Sequence, residues 1–210
     1  MRVLVVDDHP VVAEGWERIV RHTTGCEVVS APSPLAALRV MRGGPVDVLV
    51  VDLTFGDRRL AGARFIARLR RHDKRLPVLV FSMHRGPVMV RQALRAGANG
   101  FVNKDAAPEE ILAAFLAVSK GGRYLTPDMA TLLAFGDLDK PDGAEGPKLS
   151  ARETEVLGYI ITGKSYREIA VLSFLSYKTV LNLGHSLRSK LDAGSLPELV
   201  VKGAAYFAED

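Results

Sequence analysis

Short apolar runs alternate with amphipathic stretches through the first part of the chain. Val3–Val6, Glu27–Ser30, Val46–Val51 and Pro77–Ser82 read as strands, with a weaker fifth at Gly100–Asn103. Three of them are near-continuous Val and Leu, the pattern of strands buried on both faces of a parallel sheet. Apolar residues at helical spacing fill the intervals: Val12, Trp16, Ile19 and Val20; Leu35, Leu38 and Met41; Phe65, Ile66 and Leu69; Val88, Val90 and Leu94; Ile111, Leu112, Phe115 and Leu116. Five strands alternating with five helices predict a doubly wound α/β domain.

Beyond Tyr124 the pattern changes. Pro127–Phe135 reads as a short helix with Thr126 as N-cap and Pro127 as first helical residue. Gly136–Pro147 carries Gly, Pro and acid with little to bury, and reads as a linker. From Leu149 no strand signal returns. Ser150/Glu153, Ser165/Glu168 and Ser195/Glu198 each fit a capping box, and Ser176 opens a further apolar-periodic run. The tail is therefore expected to be four short helices. The divisions are residues 1–122, 123–147 and 148–210.

Composition narrows the function classes. Apolar residues at 48% and charged residues at 25% exclude a disordered chain. Charges or glycines break every apolar run before it could cross a bilayer as a helix. Met1-Arg2 leads directly into Val3–Val6 and two aspartates, which is no signal-peptide pattern, so a cytoplasmic location is expected. One cysteine, Cys26, excludes an internal disulfide and a multi-thiolate zinc site, and reads as a small buried hydrophobe. The net charge of +4 is uneven: residues 1–130 hold 19 Lys/Arg against 13 Asp/Glu, whereas residues 148–210 hold 8 against 7. The nearly neutral tail makes charge a weak argument for nucleic acid. The basic residues between Arg58 and Arg75 read as a solvated helix face.

The candidate chemistry follows the strands. Asp7 and Asp8 come after the first, Asp52 after the third, Ser82 after the fourth and Lys104 after the fifth, all at the edge where open α/β sheets collect ligands. Val3–Pro10, Val50-Val-Asp52-Leu, Val80-Phe-Ser82 and Gly100-Phe101-Val-Asn-Lys104-Asp together resemble the flavodoxin-like receiver domain of two-component response regulators. The resemblance implies that Asp52 accepts a phosphoryl group from a sensor histidine kinase. It implies that Asp7, Asp8, Asp52 and Thr54 serve a Mg²⁺ site, that Ser82 and Lys104 bind phosphoryl oxygens, and that Phe101 is the switch aromatic. Elementary chemistry agrees: a carboxylate can attack phosphorus, and converging carboxylates repel unless a cation joins them. An ammonium, a hydroxyl and a metal suit the charge spread over a transferring phosphoryl group. Thr54 and His84, each two residues beyond a site residue, are expected to flank the path of hydrolytic water. Gly56 stands where the family usually has proline and Gly62 arrives two residues late; the loop 57–61 weakly resembles that of the RcsB branch.

Leu149–Glu153, Gly163–Ser165 with Glu168–Ala170, Lys178–Val180 and Glu198–Val200 give the tail a resemblance to the LuxR-type helix-turn-helix of NarL/FixJ regulators. On a helical wheel Val180, Leu183, Leu187 and Leu191 share a face with Gly184, and Lys178, Asn182, His185 and Ser189 lie opposite, flanked by Leu181 and Arg188. With Thr179, the outer residues are the candidate DNA contacts. Position 181 is commonly lysine, 183 histidine and 184 a core aliphatic; here they are Leu, Leu and Gly, and Leu183 is expected to replace the missing core side chain. The sequence thus predicts a non-enzymatic response regulator that binds double-stranded DNA as a homodimer, with no membrane association. The alternative is a receiver-controlled interaction protein whose helix-turn-helix has altered or lost DNA binding. A flavodoxin-like enzyme is disfavoured because the first strand ends in two carboxylates rather than a phosphate-cradling loop, and an Asp-x-Asp phosphatase because position 54 is threonine.

Overall fold

The computed structural model describes residues 1–20, 25–56, 60–83, 86–135 and 149–208. Its first part alternates β1 (Arg2–Val6), α1 (Pro10–Val20), β2 (Glu27–Ala31), α2 (Pro34–Arg42), β3 (Val48–Val51), α3 (Ala61–Leu69), β4 (Val78–Ser82), α4 (Pro87–Ala96), β5 (Gly100–Asn103) and α5 (Pro108–Ser119). The five strands form one parallel sheet in the order β2-β1-β3-β4-β5. Alternation along each strand decides which helices lie where. Val3, Val5, Val48, Val50, Leu79, Phe81 and Val102 pack against α1 and α5. Their neighbours Leu4, Val6, Leu49, Val51, Val78, Val80 and Phe101 pack against α2, α3 and α4. Both faces are covered, which is why β3 and β4 are buried throughout; of the two edge strands, β5 is also buried, its outer side closed by Phe101 N donating to the Tyr124 carbonyl, and β2 is not.

Two strands start later than their apolar runs suggest. At β3 the Asp47 amide still donates to the Arg2 carbonyl at 2.9 Å, but the Arg2 amide goes to the Asp47 carboxylate at 2.6 Å. At β4, Pro77 has no N–H to offer, although its carbonyl accepts from Leu49 N at 2.9 Å, and Val78 N donates to the Asn99 side chain at 3.0 Å. Cys26, expected to be buried, is half-exposed at the rim beside Val28. The reversal of strand order falls between β1 and β3, so their carboxyl ends frame the crevice of the sheet.

A connecting helix α6 (Pro127–Phe135) follows, with Thr126 Oγ1 accepting from Met129 N at 3.2 Å. The sequence-predicted linker, residues 136–147, lies outside the described residues. The tail then forms α7 (Ala151–Ile161), α8 (Tyr166–Ser173), α9 (Tyr177–Lys190) and α10 (Leu196–Ala208). Complete capping boxes at Ser150/Glu153 and Ser165/Glu168 start α7 and α8, and Ser176 Oγ caps α9. At α10 only half of the expected box forms. Ser195 Oγ accepts from Glu198 N, but the Glu198 carboxylate takes the Gly194 amide and the Lys202 ammonium. Among the described residues no helix is long and apolar enough to cross a membrane.

Candidate functional site

The carboxyl ends of β1 and β3 place Asp7, Asp8 and Asp52 together. Asp52 N donates to the Val6 carbonyl and Asp7 N to the Ala31 carbonyl, so the strand ladders set both backbones. Asp7, Asp8, His9 and Asp52 each offer one ligand atom within 4.8 Å of the others. Asp7 and Asp52 are 8% and 5% exposed, and like charges at that depth need a cation. Here the cation is Lys104, whose Nζ lies 2.5 Å from Asp7 Oδ2 and 2.7 Å from Asp52 Oδ2. Burial pulls the Lys104 ammonium toward deprotonation, but the bonds it donates to Asp52 and Asp7 outweigh this and raise its pKa above the usual 10.5.

The carboxylate oxygens are hard donors, and this acidic pocket is of the kind that binds Mg²⁺. Thr54 N donates to Asp52 Oδ1 at 3.3 Å, so the residue after next folds back over the carboxylate, and Thr54 Oγ1 is buried without a hydrogen-bond partner. Asp8 Oδ2 accepts the Gly56 amide at 2.8 Å; glycine holds a left-handed φ of 52° there, which brings the loop over the pocket. Ser82 is fully buried at the end of β4, level with Asn103, and its carbonyl accepts the Lys104 amide. Phe101 is fully buried against the α2–α4 layer. His84 lies outside the described residues. His9, which sequence reasoning passed over, sits between the two N-terminal aspartates, with Nδ1 3.0 Å from Asp7 Oδ1 and 3.1 Å from Asp8 Oδ1.

In the tail, α9 presents Lys178, Thr179, Asn182, His185 and Ser189 to solvent, with Leu181 and Arg188 half-buried at the margins. Val180, Gly184 and Leu187 form the buried face. Leu183 packs on the core edge but does not replace the missing aliphatic side chain; the ring of Tyr166, one helix earlier, stands over Gly184. Arg188 is engaged within its own domain, Nε donating to the Ala193 carbonyl at 3.3 Å and Nη2 to that of Gly194. Glu153 ties α7 to α9 by accepting from Ser186 Oγ at 2.7 Å and Lys190 Nζ at 2.8 Å. Burial would raise its pKa, yet the bonds from Lys190, Ser150 and Ser186 win and hold it at about 2.

The two parts touch. Arg64 of α3 pairs with Glu155 of α7, and Gln92 Nε2 of α4 reaches Thr154 Oγ1 at 3.4 Å. The sequence places Arg64 on a solvated basic face and assigns none of these four residues to a contact between the two parts, because no local pattern marks a pair 91 positions apart.

Comparison with known proteins accords with this geometry. The family described as response regulator receiver domain matches residues 3–116, and bacterial regulatory proteins, luxR family, matches residues 147–202. The chain is 50% identical over 210 residues to the methanol utilization control regulatory protein MoxX of Paracoccus denitrificans, covering all of this chain and 94% of that one. It is 34% identical over 198 residues to the transcriptional regulatory protein UhpA of Escherichia coli K12, covering 94% of each. Among solved structures, RcsB of Salmonella typhimurium superposes with a TM-score of 0.76 at 26% identity, over 99% of this chain and 96% of that one. RcsB of Salmonella enterica bound to the promoter rprA with a phosphomimetic gives 0.76 at 25% identity, over 97% and 98%.

Proposed function

Because the chain belongs to the two-component response regulators with a LuxR-family output domain, and is thus a non-enzymatic, DNA-binding transcriptional regulator, we propose that Asp52 is its phosphoacceptor. The observation that carries this is the Lys104 ammonium shared between Asp7 and Asp52 at the crevice of the sheet. In transfer from a histidine kinase, an Asp52 carboxylate oxygen bonds to phosphorus as the phosphorus–nitrogen bond to the kinase histidine breaks. Asp7, Asp8 and Asp52, with Thr54, would hold a Mg²⁺ ion, which supplies charge neutralisation for the phosphoryl oxygens. Lys104 then shifts its ammonium from Asp52 toward a phosphoryl oxygen, and Ser82 donates its hydroxyl to another. Phe101 fills the space that Ser82 leaves.

The receiver spans residues 1–122, a connecting segment 123–147 and the output domain 148–210. Two output domains on neighbouring half-sites read duplex DNA with Lys178, Thr179, Leu181, Asn182, His185, Arg188 and Ser189. Incubation with acetyl phosphate and Mg²⁺ tests the assignment: wild type gains one phosphoryl group by mass and Asp52→Asn gains none. Modification that survives in Asp52→Asn refutes it. MoxX, by its name, controls methanol utilization, so promoters of such genes are the first duplexes to test.

A further inference from the structure

The acceptor and the output domain are joined by a short path through α3. Gly62, in the first turn of that helix, sits so close to Asp52 that a Cβ there would lie 1.9 Å from the Asp52 carbonyl oxygen, and its amide donates to the Leu53 carbonyl at 3.0 Å. The residue that leads into α3, Leu60, is buried and left-handed, with φ 61°. A non-glycine residue in that conformation persists only where its surroundings impose it. Two residues beyond Gly62, Arg64 reaches Glu155, whose side chain is 1% exposed and whose other oxygen takes Arg152 Nη1 at 2.9 Å.

This contact is suited to a two-state role. The Glu155 carboxylate is buried while the Arg64 side chain is 34% exposed, and such a pair gains little net stability, since desolvation of the carboxylate offsets the attraction. Arg64 Nε is buried with no hydrogen-bond partner, a further cost that separation would relieve. The contact also leaves Lys178, Thr179, Asn182, His185 and Ser189 exposed. It grips α7 at its start and does not cover the outer face of α9.

We propose that the Arg64–Glu155 pair, supported by Gln92–Thr154, transmits the state of the acceptor to the output domain through the start of α3, by orienting that domain and not by masking its recognition helix. The proposal rests on Asp52 as the acceptor. A phosphoryl group on Asp52 changes what its backbone and loop can accommodate, Gly62 leaves no slack at the helix start, and Arg64 moves with α3.

The test uses the full chain, with and without beryllofluoride and Mg²⁺, on a duplex selected by wild type from a randomised pool. Wild type should gain affinity by about tenfold, within the usual range of coupling between two sites. Arg64→Met and Glu155→Gln, which alter different domains, should take up phosphoryl from acetyl phosphate at the wild-type rate. Their gain in affinity should fall below about threefold, while unactivated binding stays within about twofold of wild type. Arg64→Lys, which keeps a charge, should recover part of the gain. A full gain in both variants overturns the route. A large rise in unactivated binding overturns the orienting role, since it would mean the contact is a mask. Absence of phosphoryl uptake by wild type would instead remove the Asp52 assignment, and this proposal with it.

Discussion

Tyr166 occupies the space that Gly184 leaves empty: a Cβ on residue 184 would lie 2.4 Å from the Tyr166 hydroxyl and 2.8 Å from the ring carbon that bears it. A glycine in the middle of the recognition helix costs roughly 1 kcal/mol against alanine. The ring of α8 offsets this by packing directly on the α9 backbone, so the two positions are one unit. Gly184→Ala should lower thermal stability despite its better helix propensity, by roughly 1–2 kcal/mol. In a Tyr166→Ala background the same change should be neutral or stabilising. A double-mutant cycle by urea unfolding checks this, and additive effects would refute the coupling.

Glu153 should make the output domain acid-labile in a defined window. Its folded pKa is about 2 against an ordinary 4.5. A depressed carboxylate stabilises fully above its unfolded value and loses that stabilisation as pH falls toward the folded one. The melting temperature of wild type should therefore decline between about pH 4.5 and pH 2 more steeply than that of Glu153→Gln. At pH 7 the substitution should cost about 2 kcal/mol, by weakening the links to Lys190 and Ser186.

Lys104→Ala should leave Asp7 and Asp52 facing each other without a cation. Mg²⁺ should then raise the melting temperature of the variant by more than it raises that of wild type, while the affinity gain on beryllofluoride is lost. In wild type the Lys104 contribution carries the opposite pH sign to that of Glu153. Its pKa is raised above 10.5, so the stabilisation is complete below that value and is lost only as pH climbs through the higher folded value. Equal responses to Mg²⁺ in both proteins would contradict the bridging role.

For DNA, Lys178→Ala should weaken binding to all sequences and reduce the slope of log K against log salt by about 1 per monomer. Arg188→Ala should change the slope less and lower stability more, because its guanidinium already serves the Ala193 and Gly194 carbonyls. Asn182→Ala should relax preference at one base pair. A slope change for Arg188→Ala as large as that for Lys178→Ala would show that the loop releases the guanidinium on binding.

Much of this molecule is legible from its sequence because its signals are local. Continuous Val and Leu in β1 and β3 announce strands covered on both sides, and the aspartates that follow them lie at the crevice because strand order reverses there. Ser150, Ser165 and Ser176 mark helix starts because a cap needs only residues three apart. What stayed hidden depends on distance along the chain. Leu183 looked like the replacement for a missing core residue because it is adjacent; Tyr166, on the preceding helix, could be recognised only once α8 and α9 had packed. Arg64 belonged to a basic stretch best read as solvated, and only the meeting of two domains gives one of its guanidinium nitrogens a carboxylate.

Trp16 gives the protein an optical sensor of its own. It is the single tryptophan of the chain, 1% exposed, with Phe81 edge-on at 5.2 Å and Phe115 at 5.8 Å. Phe81 precedes Ser82 on β4, and the Lys104 ammonium lies 5.9 Å from the centre of its ring. Indole emission responds to nearby charge, so relocation of that ammonium on loading of the pocket would be visible as a change in intrinsic fluorescence. Intrinsic fluorescence should therefore report occupancy of the receiver without a label, separately from any event at the DNA.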